Sequence, residues 1–219
     1  MQNMPMTVME LRRAAPKLLL NPLLLPSTVS PSDADAIRWA TVAMGAGADI
    51  VLMLGVSPDR VAAVAKQKIP VFAHVGLTPI WYTTWRGGYV GVGKPSQDAL
   101  QIYKDALAYQ EAGAAMLTIE CTPERVTAEI AKRLRIPVIS IGAGAGADGV
   151  ELVAVDVLGL SPSRAPRHAK KYRNFFTEAV AAYREFKDEV NSGDFPAKEN
   201  VVAIKDEEFE LFMEGLDRI

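Results

Sequence analysis

Cysteine is nearly missing: among 219 residues there is one, Cys121. A single thiol excludes an internal disulfide and any zinc cage built on several cysteines, and it suits a reducing cytosol. An excess of either charge is missing too. Lys plus Arg number 24 against 26 acidic residues, a net charge of -2, which argues against a general binder of nucleic acid or anionic membrane. Nor is there a long hydrophobic run. The greasiest stretch, LLLNPLLL at 18–25, is far too short to span a bilayer and contains a proline. The opening MQNMPMTVMELRR lacks an apolar core of signal-peptide length. These absences predict a cytoplasmic protein with neither nucleic acid nor membrane as partner. At 49% hydrophobic and 23% charged, the chain has the composition of a soluble globular domain with a sizeable core.

What is present is a repeat. GADIVLMLG begins at Gly47 and GAAMLTIEC at Gly113, each after a helix-like stretch. Each is followed by a helix start and a second strand: SPDRVAAVAKQKIPVFAH in the first copy, TPERVTAEIAKRLRIPVISI in the second. Ser57-Pro58 and Thr122-Pro123 read as a hydroxyl N-cap before a proline at the first helical position, where the missing N–H costs nothing. The strands are continuously apolar, so both faces should be covered, as in a parallel sheet wrapped by helices. This pattern predicts six strands, near 18–21, 49–54, 69–74, 115–120, 137–141 and 151–155. Helices are expected near 32–45, 58–67, 96–112, 123–134 and 168–191. Alternation of this kind gives either a (β/α) barrel or an open doubly wound sheet.

In both architectures ligands sit at the carboxyl ends of the strands. Glu120 ends its apolar strand, so its carboxylate is expected in the ligand-facing mouth. A carboxylate there either works on a ligand or is tied to an arginine or a helix N-terminus. His74, at the tip of IPVFAH, reads either as a pocket residue or as a hydrogen-bonded core histidine. The loop IGAGAGADG, with Gly142 and Gly144, offers close backbone approach at another strand end. It misses the dinucleotide-binding spacing. Cys121 reads as a small buried hydrophobe. The cluster Arg164, Arg167, His168, Lys170, Lys171 and Arg173 reads as a solvated helix start.

Several motifs in order, HVGLTP (74–79), GGY (87–89), ALAYQEAGAAMLTIECTPERV (106–126), IPVISIGAGAGADG (136–149), LVAVDVLGL (152–160) and YREFKDEVNSGDFP (183–196), resemble ketopantoate hydroxymethyltransferase. The resemblance implies a (β/α) TIM-type barrel of the phosphoenolpyruvate mutase and isocitrate lyase kind. Here it is incomplete, with about six recognisable strands and C-terminal helices. It implies a hydroxymethyltransferase of pantothenate biosynthesis, acting next to the ketone of a 2-oxo acid. The cofactors implied are Mg2+ and methylenetetrahydrofolate, and the assembly a homo-oligomer, in the family a decamer. Glu120 falls on the family's general base and His74 on a substrate-pocket residue.

The departures are equally specific. One alignment puts Asn21 on a metal-binding aspartate of the family, with Leu52 and Leu54 on a lysine and a glutamate. A rival alignment matches TVMELRR to the family's N-terminal stretch and deletes the middle strands instead. Neither restores the metal ligands, so no metal site is expected. Ile80-Trp81 replaces a family Gln-Ser. The expected reading is therefore a family-like enzyme that makes or breaks a carbon–carbon bond beside a 2-oxo acid, with Glu120 as catalytic base. Asn21, His74, Gly142 and Gly144 would bind substrate. The alternative is a non-catalytic member that binds a metabolite or a full-length homologue. The barrel domain is expected over 1–196 and an amphipathic helical tail over 197–219, with Phe209, Phe212, Met213, Leu216 and Ile219 on one face.

Overall fold

The computed structural model describes residues 3–78 and 90–218. The GGY motif, the Ile80-Trp81 pair and Ile219 lie outside these residues. Contacts divide the chain into two units, Met1–Leu152 and Val153–Ile219, whereas the sequence reading draws its line at residue 196.

The first unit carries six parallel strands: β1 (Leu23–Leu24), β2 (Val51–Met53), β3 (Val71–Gly76), β4 (Met116–Glu120), β5 (Val138–Ile141) and β6 (Gly149–Val150). Their order across the sheet is their order in the sequence. A doubly wound sheet reverses direction at a switch point, whereas sequential order is the one a (β/α) barrel uses. The fold is therefore α/β of barrel type, with six strands among the described residues. Among the described residues β1 and β6 are its two edges and do not pair with each other.

Helices α1 (Met4–Ala14), α2 (Pro26–Val29), α3 (Asp33–Gly45), α4 (Pro58–Ala65), α5 (Ser96–Glu111) and α6 (Glu124–Arg133) belong to the same unit. Alternate strand residues, Val71, Ala73 and Val75 on β3 with Leu117 and Ile119 on β4, form one core cluster with Ala36, Ala40, Val61, Val64, Ala106 and Ile130 of the helices. Small alanines at contact positions of α3 let that helix approach closely. The opposite sheet face presents Leu23, Leu52, Phe72 and Met116 side by side across four strands.

Two strand expectations shift. The strand expected at 18–21 lies at Leu23–Leu24. Residues before it do accept ladder bonds, Leu20 O from Asp49 N at 3.0 Å and Pro22 O from Leu52 N at 3.0 Å. Pro22 has no N–H to continue the ladder, and Leu20 N donates to the Asp49 carboxylate at 2.8 Å. The strand expected at 151–155 lies at Gly149–Val150, and Ala154–Leu158 is a short helix, α7. Its apolar run looks the same in either conformation. Gly159 in the left-handed region closes it (φ 64°, ψ 47°).

The second unit continues with α8 (Phe175–Ser192), a single 3-10 turn (Lys198–Asn200) and α9 (Asp206–Leu216). The helix expected from 168 begins at Phe175, so the basic cluster from Arg164 to Arg173 lies in the loop before it. Gly159 is the one buried residue described in this unit.

Candidate functional site at the carboxyl ends of β3 and β4

The register brings the site together. His74 pairs with Thr118 and Gly76 with Glu120. Partners in a parallel ladder point to the same side, and i and i+2 share a face. His74, Thr118 and Glu120 therefore occupy one patch of the face opposite the helices. Each is buried: His74 and Glu120 are 6% exposed and Thr118 1%.

His74 Nε2 lies 3.2 Å from Glu120 Oε2. The same nitrogen is 3.0 Å from the Leu77 carbonyl oxygen. Both neighbours are acceptors, so the hydrogen-bond network assigns the ring proton to Nε2, shared between them. The imidazole thus fixes the carboxylate while Glu120 keeps lone pairs for a proton.

Gly76 makes this geometry possible. Its φ is +88°, and a Cβ built there would stand 2.3 Å from Glu120 O and 2.9 Å from Thr122 Oγ1. Only a residue without Cβ lets β3 turn against the backbone of Glu120, where Leu77 N donates to Glu120 O at 2.9 Å. Cys121 follows in the left-handed region at φ 50°, uncommon for a residue with a side chain. Its N–H donates to Ile141 O at 2.9 Å and its carbonyl accepts from Val92 N at 3.0 Å, which locks the strand end. Burial, and secondarily the Glu120 charge, push the Cys121 thiol up to about 11.

The two repeat copies part company here. Ser57 caps α4, accepting from Arg60 N at 3.3 Å. Thr122 does not cap α6, whose N-cap is Pro123. Its hydroxyl instead donates to Glu120 O at 3.2 Å, turned back toward the site.

A second carboxylate joins the patch. Thr118 Oγ1 donates to Glu151 Oε1 at 2.9 Å. Glu151 N donates to Ser140 O at 2.9 Å, so the β5–β6 ladder carries on past Val150. The sequence does contain a signal for Thr118, which stands two residues before Glu120 on an apolar strand. It contains none for Glu151, whose place follows from the short link between β5 and β6.

Of the other expected substrate-binding residues, Gly142 directly follows Ile141, the ladder partner of Glu120. Asn21 precedes β1, level with the amino ends of the strands, while His74 and Glu120 stand at the carboxyl ends. Gly142 and Gly144 have positive φ (63° and 85°) in the link after β5. A Cβ on Gly144 would meet Glu124 Cγ at 2.4 Å, and Ala145 N donates to Glu124 Oε1 at 3.1 Å. The close approach that glycine permits here is therefore to α6.

A cavity of about 210 Å³ adjoins the pair, lined by His74, Gly76 and Thr78 together with Asp98, Gln101 and Tyr109 of α5. Glu120 is not among its lining residues. The Tyr109 hydroxyl donates to Val56 O, and burial, with a smaller push from Asp105, raises it to about 12.

An octahedral ion such as magnesium wants several oxygen ligands converging on one point. Among the described residues no three or more His, Cys, Asp or Glu side chains converge so as to hold a metal ion. Leu54 is buried at 5% exposure. Also among the described residues, no helix is long and apolar enough to cross a membrane.

The chain is 41% identical over 174 residues to 3-methyl-2-oxobutanoate hydroxymethyltransferase of Nitratidesulfovibrio vulgaris, a match covering 78% of this chain and 56% of that protein. It is 32% identical over 220 residues to 3-methyl-2-oxobutanoate hydroxymethyltransferase 1 of Methylibium petroleiphilum, covering 100% of this chain and 74% of the relative. Measured on the first of these, the chain spans little more than half the length of the relatives it matches. A structure of Rhizobium etli pyruvate carboxylase superposes with TM-score 0.50 at 17% identity, over 70% of this chain and 18% of that one, a likeness of fold alone. The profile of ketopantoate hydroxymethyltransferase matches residues 1–198, TVMELRR included. The chain belongs to the ketopantoate hydroxymethyltransferase family.

Proposed function

We propose that the chain acts on the carbon next to the ketone of a small 2-oxo acid, with Glu120 as the base that removes its proton. The observation that carries this reading is the buried contact of Glu120 Oε2 with His74 Nε2 at 3.2 Å, at the carboxyl ends of β3 and β4. Burial strips the carboxylate of competing water, and the imidazole sets its direction. The proton moves from the substrate carbon to Glu120, leaving an enolate that attacks a one-carbon electrophile, or that is left when the same bond breaks. No step is routed through a metal.

The test is proton exchange. The chain incubated with 2-oxobutanoate in heavy water should wash out the C3 protons, followed by NMR. Glu120→Gln keeps the shape and removes proton acceptance, so the rate should fall by about a hundredfold or more. Exchange that survives in the variant refutes the role of Glu120.

A second reading, a non-catalytic member that binds a metabolite or a full-length homologue, is favoured by Leu52 and Leu54, apolar residues that one alignment puts at positions the family fills with polar groups. It predicts no exchange with any 2-oxo acid. In either case we expect a homo-oligomer. Phe209, Phe212, Met213 and Leu216 of α9 are 44–54% exposed and form the apolar side of an otherwise acidic helix. A cytoplasmic location remains part of the same proposal.

A further inference from the structure

We infer that Glu151 is a specificity-determining residue of this site, accepting a hydrogen bond from a donor group on the substrate, one strand away from the carbon that Glu120 deprotonates. The inference rests on the reading of Glu120 as base.

Geometry comes first. Ile139 pairs with Gly149 and Ser140 with Val150, and Glu151 N bonded to Ser140 O continues that register. Glu120 pairs with Ile141. Glu120, Ile141 and Glu151 therefore form one row on the face opposite the helices, with Ile141 between the two carboxylates. Two strand spacings put the outer Cα atoms on the order of 10 Å apart. The Glu151 side chain reaches back across β5 to β4, where its Oε1 accepts from Thr118 Oγ1 at 2.9 Å, so its carboxylate stands beside the patch that holds Glu120.

Electrostatics comes second. Ionised carboxylates only accept hydrogen bonds, and each has two oxygens to satisfy. Glu151 is half-buried and spends Oε1 on the Thr118 hydroxyl at 2.9 Å. Among the described residues no lysine or arginine forms an ion pair with Glu151 or with Glu120. Thr118, itself 1% exposed, holds the Glu151 carboxylate to the patch that contains His74 and Glu120. The surrounding wall of the face is apolar: Leu52, Leu54, Phe72, Ile139 and Ile141. A half-buried carboxylate fixed at one oxygen, in an apolar wall, leaves its other oxygen to be matched by the ligand. A 2-oxo acid with a hydroxyl at its far end supplies that donor, and one ending in a methyl group does not.

The experiment compares 4-hydroxy-2-oxobutanoate with 2-oxobutanoate by calorimetry. The wild type should bind the hydroxylated compound about tenfold more tightly, the worth of one hydrogen bond to a charged group. In Glu151→Leu the ratio should fall to about one. If that variant does not fold, Glu151→Gln should still lower the ratio, since an amide oxygen is a weaker acceptor than a carboxylate. Equal affinities in the wild type, a preference that survives Glu151→Leu, or binding of neither compound overturns the inference. Proton exchange measured on the same samples separates the two claims. Exchange without preference sinks the role of Glu151 alone, and preference without exchange sinks the role of Glu120 alone.

Discussion

Replacing Gly76 by alanine would drive a methyl group into the backbone of Glu120. The new Cβ would lie 2.3 Å from Glu120 O and 3.0 Å from Glu120 N. Carbon needs about 3.5 Å for comfortable non-bonded contact, so the strand ends must part by roughly 1 Å. No rotamer relieves this, because the obstacle is main chain. Holding alanine at φ +88° adds about 1–2 kcal/mol. Overpacking adds about 1–3 kcal/mol. Losing the Leu77 N to Glu120 O bond costs about 1 kcal/mol more. The sum, roughly 3–6 kcal/mol, is a large part of the 5–15 kcal/mol by which a typical domain is stable. The damage also reaches chemistry: the Leu77 carbonyl that receives His74 Nε2 moves with the strand, so carboxylate and imidazole lose their alignment. A displacement of about 1 Å can cost about a hundredfold in rate. Urea denaturation gives the stability loss, and NMR exchange of 2-oxobutanoate protons gives the rate. A Gly76→Ala protein destabilised by less than about 1 kcal/mol, with unchanged exchange, would refute the account of how the site is held.

Three further measurements test neighbouring parts. Cys121, the single thiol of the sequence, should react slowly with iodoacetamide at pH 8, and Glu120→Gln should speed it by removing the nearby charge; an unchanged rate would show that burial alone holds the thiol up. Tyr109→Phe removes the donor to Val56 O and should destabilise by about 1–3 kcal/mol, read by thermal melts. Because folding raises Tyr109 from 10.0 to about 12, its contribution to stability is complete below pH 10 and is lost as pH climbs through 10 to 12. The Phe variant should lack that part of the alkaline loss in melts run across the same range. Deleting residues 206–219 should lower the oligomeric state or the solubility, and a truncated protein that sediments like the parent would show α9 to be dispensable.

Much of the architecture was legible because the signals are local. Ser57-Pro58 announces α4, Gly-Ala before an apolar run announces β2 and β4, and Glu120 ends its strand as its position implied. Pairing is what the sequence hides. Nothing in the letters puts Gly76 against the backbone of Glu120, since that contact arises only when β3 and β4 lie side by side. Thr122 looks identical to Ser57 as a cap, yet the site draws its hydroxyl away from the helix. The approach of Gly144 to Glu124 and of Gly146 to Ala128 is likewise unannounced by the letters.

The strand order also governs how this molecule can be made. Every strand from β2 onward pairs with the one synthesised just before it. Long-range pairings slow folding because distant segments must first meet, and here each meeting is between neighbours in the chain. On the ribosome, β3 can find β2 already out, and β4 can close on Gly76 as soon as its own residues emerge. Later strands only extend an existing edge. A nascent chain that has emerged from the ribosome as far as Ile141 would already hold Glu120 between both of its neighbouring strands, so Glu120 is in position before α8 and α9 emerge.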